Sequence, residues 1–290
     1  MYRMEIFSFK KALAALHRSP LYRHPSSLMW RRCLSIDSQF CDAVVSSGLL
    51  SWEQMLHAAC RYCLGATRHR GVIFWQIDQE GCIHDGKVMY YREDCHRDKA
   101  HHPTWVSTLL QRRYRWDDAE RLVSSHCLFG LHLLSFSTHY SPLTIHHSTI
   151  AMVESEKSAF ILSEWFPQSL WLATGGLGNV QPEKFRPLRG RRVTLFPDTD
   201  PDGTTFRRWY EAAQAVMRQP FWEGSPPIRV SALLEIHASD EEKARKIDLV
   251  DFLEPSLKGG MEAPNALNGG SKLLEWSRYS SSLDRLVFSG

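Results

Sequence analysis

The sequence predicts an α/β protein in which a mostly parallel sheet with flanking helices follows a smaller lobe of mixed α+β structure. Three observations carry that prediction. From Thr149 onward, short apolar runs alternate with stretches of helical spacing, as in a parallel sheet whose crossovers are helices. Before that, between about residues 67 and 147, two adjacent aromatic-rich runs read instead as a hairpin. Lastly, the two tight acidic clusters, Glu154 with Glu156 and Asp198 with Asp200, each stand directly after an apolar run. In parallel sheets that edge, the carboxyl end of the strands, is where chemistry gathers.

Taken in order, residues 1–66 read as a helical region: KKALAALHR, a break at LYRHPSS, then a periodic stretch from Gln39 to Leu64 with Ser51 as a cap and Glu53 in the first turn after it. Residues 67–147 form the α+β lobe and a linker. GVIFWQIDQEGCIHDGKVMYY supplies the hairpin, with its turn near Gln79 to Gly81, and the aperiodic polar stretch from residue 135 to 148 separates the lobes. Residues 148–254 hold the parallel sheet. TIAMV, SLWLA, RVTLF and IRVSALLEI are its strands, SEKSAFILSEWF and TTFRRWYEAAQAVMR are helices between them, and DEEKARKIDLVDFL closes the domain. Residues 255–290 are rich in Gly and Ser and read as a disordered tail.

Composition narrows the function classes. No apolar run approaches the length of a membrane span and the first residues lack a cleavable signal pattern, so the expectation is a cytoplasmic protein without a membrane partner. Seven cysteines, all at or before Cys127, read as free thiols; the one CxxC, Cys60 and Cys63, has no second pair of ligands, so no zinc is predicted. The net charge of +3 is small, but its cations are grouped. Arg61, Arg68 and Arg70 form one group and Arg92, Arg97, Lys99, Arg112, Arg113 and Arg115 a second. Lys184, Arg186, Arg189, Arg191 and Arg192 form the third. Such groups either neutralise phosphates together or scatter over a solvated surface.

The stretch RVTLFPDTDPDG runs from a strand into Asp198, Asp200 and Asp202. Two readings stand. Like charges this close are tolerated when a cation sits between them, and hard oxygen ligands completed by water and phosphate suit Mg²⁺. Alternatively, the aspartates build a turn and cap the helix at Thr204. The tryptophans Trp75, Trp105, Trp165, Trp171 and Trp209 sit in apolar runs or helices and read as core, and for His126 beside Cys127 the sequence positions no Asn or Asp partner.

Val153-Glu154-Ser155-Glu156-Lys157, then Ala173-Thr174-Gly175-Gly176, then Phe196-Pro197-Asp198-Thr199-Asp200-Pro201-Asp202-Gly203 follow one another within about fifty residues. This order resembles the Toprim domain, a Rossmann-like fold shared by topoisomerases, bacterial primases and some nucleases. Upstream, Arg70, Phe74, Asp78 and Gly81 in RGVIFWQIDQEGCIHDGKV, with CLFGLHLL after them, look like the core lobe that precedes Toprim in primases. The resemblance spans roughly residues 68–254. It implies Glu154 as general acid/base, Asp198 and Asp200 as carriers of Mg²⁺ or Mn²⁺, and Asp202 as a further ligand. It also implies phosphate contacts from Lys157, Gly175, Gly176, Arg70, Arg112, Arg113 and Arg115.

The implied function is a primase-like nucleotidyl transfer on single-stranded DNA or RNA with nucleoside triphosphates, in the replication of a mobile genetic element. A Toprim nuclease and a decayed binding module are the alternatives. Ser155 stands where many members have glycine and Ser158 where they have a second acid, which removes one outer ligand. The zinc ribbon that precedes the primase core has no counterpart, so a separate zinc-ribbon protein or a replicative helicase is an implied partner.

Overall fold

A computed structural model describes residues 34–114, 126–136 and 149–258. The chain divides into two compact units, residues 1–144 and 145–290. The N-terminal stretch KKALAALHR and the tail beyond residue 258 lie outside the described residues.

In the first unit, α1 (Gln39–Ser46) and α2 (Trp52–Arg61) are followed by β1 (Gly65–Ala66), β2 (Val72–Ile77), β3 (Ile83–Met89), β4 (Thr104–Trp105), α3 (Val106–Tyr114) and α4 (Leu133–Phe136). Ser51 caps α2 in a reciprocal box with Gln54, which satisfies two amide donors at the helix start. The four strands form an antiparallel sheet in the order β1-β2-β3-β4. The predicted hairpin is present: Asp78 Oδ1 accepts from the amides of Glu80 and Cys82 and closes the turn between β2 and β3. Trp75 lies opposite Gly86, and a Cβ at Gly86 would stand 2.8 Å from the indole ring, so only glycine admits the tryptophan across the strand pair. Every residue of β2 is buried. Phe74 meets Phe40 of α1 edge-on at 5.4 Å and Phe129 at 5.5 Å, so the segment the sequence sets apart as a helical region packs on the same core as the hairpin.

The second unit carries β5 (Ile150–Val153), α5 (Glu156–Trp165), β6 (Leu170–Ala173), a 3₁₀ segment (Pro182–Leu188), β7 (Val193–Leu195) and α6 (Thr204–Met217). It continues with β8 (Arg229–Val230), α7 (Leu233–His237), α8 (Asp240–Arg245) and α9 (Leu249–Lys258). Its sheet is parallel throughout, in the order β6-β5-β7-β8. The apolar runs of β5, β6 and β7 are buried because helices cover both faces of such a sheet. Trp171 and Trp209 lie at its core with 1% and 0% exposure, whereas Trp105 and Trp165 are half-buried.

One element differs from expectation. IRVSALLEI is a strand only at Arg229–Val230; from Leu233 it turns helical, which buries Leu233 and Leu234 and leaves Ile236 exposed. DEEKARKIDLVDFL is two helices, because Lys246 adopts a left-handed conformation with φ 58° and ends α8. Asp248 then starts α9: its Oδ1 accepts from the amide of Asp251 while its own amide donates to Asp251 Oδ2.

Candidate functional site

The order β6-β5-β7-β8 reverses direction between β5 and β7. The connection from β5 leads outward to β6, and the connection from β7 leads outward the other way to β8. Right-handed crossovers in opposite directions send their helices to opposite faces and open a crevice at the carboxyl ends of the two central strands. Glu154 follows β5 directly, and Asp198 stands three residues beyond the end of β7. The parallel register Met152↔Leu195 therefore delivers the first and third motifs to the same edge. On the other side of β5, the amide of Gly175 donates to Glu154 O at 2.9 Å and seats the glycine turn there. Gly175 has φ 78°, and a Cβ on it would lie 2.9 Å from Oε1 of the buried Glu156, so the turn requires glycine twice over.

The edge also gathers an acid that the sequence reading missed. Thr199 N donates to Ile247 O at 3.2 Å, which ties the aspartate loop to the segment before α9 and places Asp248 beside it. Ser158 Oγ donates to Asp248 Oδ2 at 2.6 Å, and Lys157 Nζ lies 3.3 Å from the same oxygen and 3.6 Å from Asp251 Oδ1. Ser155 caps α5 by accepting from the amide of Ser158, and the two hydroxyls stand 2.7 Å apart. Asp248 thus stands beside position 158, hydrogen-bonded to the serine there. The available signal was D-L-V-D before an apolar run, a capping-box spacing.

The charges of this cluster act on one another. Burial, together with the charges of Asp248 and Glu154, pushes the Asp198 carboxyl well above the usual carboxylate range, against a smaller pull from Lys157. Burial would also raise Asp248, but Lys157, the Ser158 hydroxyl and the Asp251 amide outweigh it and hold that carboxyl low. Asp248 is thus a buried anion with a cation, whereas Asp198 is crowded by anions.

Asp200 and Asp202 both bond the start of α6. Asp200 accepts from the amides of Thr204 and Thr205 at 2.8 and 2.7 Å and from the Thr205 hydroxyl, so both its oxygens cap α6. Those bonds hold its carboxyl low although burial opposes them. Asp202 is exposed and accepts from the Thr204 hydroxyl at 2.9 Å. Among the described residues, no three His, Cys, Asp or Glu side chains are arranged to hold a metal ion.

The remaining predicted contacts fall as follows. Lys157 faces Asp248 and Asp251, and Gly176 follows Gly175 in the turn with φ 146°. Arg70, in the first unit, is paired with Asp42 and lies 3.7 Å from Asp37. Arg112 is exposed on α3, Arg113 belongs to the same helix, and Arg115 lies outside the described residues. His126, for which the sequence offers no acidic partner, meets the buried Asp85 at 3.3 Å, and Asp85 also accepts from the Ser107 hydroxyl. Burial pushes the Cys60 thiol up to about 11.

A family model for a domain of unknown function, DUF6371, matches residues 38–199, more than half of the chain. The chain belongs to the DUF6371 family. No curated protein matches this DUF6371 chain. Among solved structures it is similar to the primase fragment of the bacteriophage T7 primase-helicase protein, with 14% identity over 66% of this chain and 70% of that one and a TM-score of 0.37. It is also similar to the DnaG primase catalytic domain bound to ssDNA, with 11% identity over 95% of this chain and 90% of that one and a TM-score of 0.39. Among the described residues of this DUF6371 protein, no helix is long and apolar enough to cross a membrane.

Proposed function

We propose that this chain is a primase-like Toprim enzyme that uses Mg²⁺ or Mn²⁺ for nucleotidyl transfer on nucleic acid, in the replication of a mobile element. The observation that carries the reading is the crowding of Glu154, Asp198 and Asp248 at the switch point of a parallel sheet, with the Asp198 carboxyl raised by burial and by these acidic neighbours. An added positive charge would relieve that crowding, and hard oxygen donors suit a hard divalent cation. Asp198 and Glu154 would hold it, while Asp248, already paired with Lys157 and Ser158, adds negative charge from the α9 side. A divalent ion bound there supplies neutralisation of the charge that grows on phosphorus. Glu154, next to the glycine turn, would exchange a proton with an attacking hydroxyl. The turn Gly175-Gly176, which carries no Cβ, borders the crevice where a phosphate would approach. Asp200 supports the site from behind, fixing the start of α6 and with it the loop that carries Asp198.

The test is one incubation of single-stranded DNA with ribonucleoside and deoxyribonucleoside triphosphates and Mg²⁺ or Mn²⁺, run beside Asp198→Ala/Asp248→Ala on a sequencing gel. Short products that require triphosphates and vanish in the variant are expected. Shortening of the substrate without triphosphates would replace synthesis by cleavage with the same carboxylates. Identical lanes for both proteins, with nucleic-acid binding intact, would overturn the catalytic reading and leave a binding module.

A further inference from the structure

The acidic site leaves one charged feature of the second unit unused. Residues 184–192, KFRPLRGRR, hold five cations and no acid. The buried side chains of Phe185 and Leu188 anchor the stretch, and backbone bonds shape its end: Arg189 N to Arg186 O, and Arg191 N to Leu188 O. Gly190 N donates to Ser225 Oγ at 3.0 Å, and Ile150 N donates to Arg192 O at 2.9 Å. This last bond fixes Arg192 at the amino end of β7, beside the first residue of β5. The turn is therefore built into the sheet edge opposite Glu154 and Asp198.

A neighbouring strand adds to it. Arg229, exposed at the start of β8, pairs in register with Thr194, two residues beyond Arg192. Strand spacing and rise put the Cα atoms of Arg192 and Arg229 about 8 Å apart. Three other arginines are partnered: Arg70 with Asp42, Arg92 with Asp94, and Arg186 of the same stretch with Glu183 while it also covers the Phe221 ring at 4.6 Å. Arg189, Arg191, Arg192 and Arg229 form no ion pair with any described residue, and Glu223, in the loop that holds Gly190, does not reach them.

Four arginines grouped on one turn and the strand beside it, without counter-charge, repel one another where their guanidinium groups approach, and an anion bound among them removes that cost. All four are arginine, whose planar fork binds phosphate oxygens in pairs and is less strongly hydrated than an ammonium. Six residues of extended chain separate Arg192 from Asp198, about 20 Å along the sheet. A polyanion is repelled at the acidic edge unless a cation is bound there, and attracted at this one.

We propose that the turn Arg189–Arg192, together with Arg229, is a second docking surface for the sugar–phosphate backbone of single-stranded nucleic acid, at the sheet edge opposite the acidic site. The proposal rests on the nucleic-acid reading above and adds a place to it. Binding of the full chain to a labelled oligothymidylate is followed by fluorescence anisotropy over a salt series. Each phosphate neutralised on a single strand contributes roughly 0.7 to the slope of log affinity against log salt. Arg189→Ala/Arg191→Ala/Arg192→Ala lowers that slope by about 2 and the affinity by about ten-fold or more at low salt. Arg189→Lys/Arg191→Lys/Arg192→Lys keeps the slope and loses only a few-fold in affinity, because the charge remains while the fork is gone.

Wild-type binding with an unchanged slope in the alanine variant would overturn this surface and leave the proposed function standing. Equal loss in the alanine and lysine variants would mean a structural rather than electrostatic effect and would also overturn it. A lowered slope combined with no primer synthesis or cleavage would sustain the surface and remove the enzyme. Absence of wild-type binding would remove both.

Discussion

Lys157→Met tests the energetics of the acidic edge directly. The Lys157 side chain is 12% exposed and its partners Asp248 and Asp251 are 11% and 22% exposed, so the pair is mostly withdrawn from water. Removing one member of a buried pair costs about 3–5 kcal/mol, because the other charge is left uncompensated. The residual exposure and the Ser158 and Asp251 hydrogen bonds that remain on Asp248 reduce this to about 2–3 kcal/mol. For a unit of this size that corresponds to a drop in Tm of about 6–10 °C in EDTA at neutral pH, read by calorimetry. Adding Asp248→Asn removes the stranded anion, so the double variant is more stable than Lys157→Met alone, with a coupling energy of about 2 kcal/mol. Mg²⁺ raises the Tm of Lys157→Met by more than it raises that of the wild type, since losing the ammonium leaves a more anionic edge for a cation to stabilise. A Tm within about 1 °C of wild type, or strict additivity with Asp248→Asn, would refute the view that Lys157 compensates this cluster.

Two further outcomes are expected. Gly175→Ala destabilises by about 2–3 kcal/mol, combining a left-handed backbone with a Cβ 2.9 Å from the buried Glu156 Oε1. Gly190→Ala, at φ 77° with open space around it, costs only about 1 kcal/mol, and equal denaturation midpoints for the two variants would rule out the Glu156 contact as the cause. The second concerns His132, whose Nε2 donates to Arg61 O at 3.1 Å and whose pKa burial lowers from 6.5 to about 4. The unfolded chain binds this proton more readily than the folded one, so stability is full above pH 6.5 and is lost as pH falls toward 4. The loss is about 2 kcal/mol by pH 5. In urea titrations at pH 7 and pH 5, His132→Gln, which keeps a donor for Arg61 O, shows a fall smaller than wild type by about that amount. Parallel falls in the two proteins would show that His132 does not titrate as described.

Local chemistry made much of the fold legible. The apolar runs of β5, β6 and β7 are strands because each is short, uninterrupted and bounded by turn residues. The Ser51 box and the Asp78 turn follow from side chains bonding backbone within a few residues of themselves. Glu154, the glycine turn and Asp198 could be placed at one edge because parallel strands all present their carboxyl ends on the same side. At the DTDPDG stretch, local and long-range roles separate. Asp200 and Asp202 cap the helix that follows them, as short-range spacing allows, whereas Asp198 takes its character from residues that are distant in sequence.

By itself, then, the sequence determined the class of the second unit, the order of its motifs and the edge on which they meet, since apolar period, turn residues and strand direction are properties of a few consecutive residues. The tertiary structure alone decided which carboxylates share that edge and in what state. Asp248 reaches Ser158 across ninety residues only because Thr199 binds Ile247 and Lys246 breaks the helix before it. Lys157 became a counter-charge rather than a surface lysine by the same long-range closure. Likewise, the fourth strand stops at Val230 because burial of Leu233 and Leu234 outweighs their local β pattern. Burial and Coulomb energy depend on distances through space, and one-dimensional spacing does not contain them.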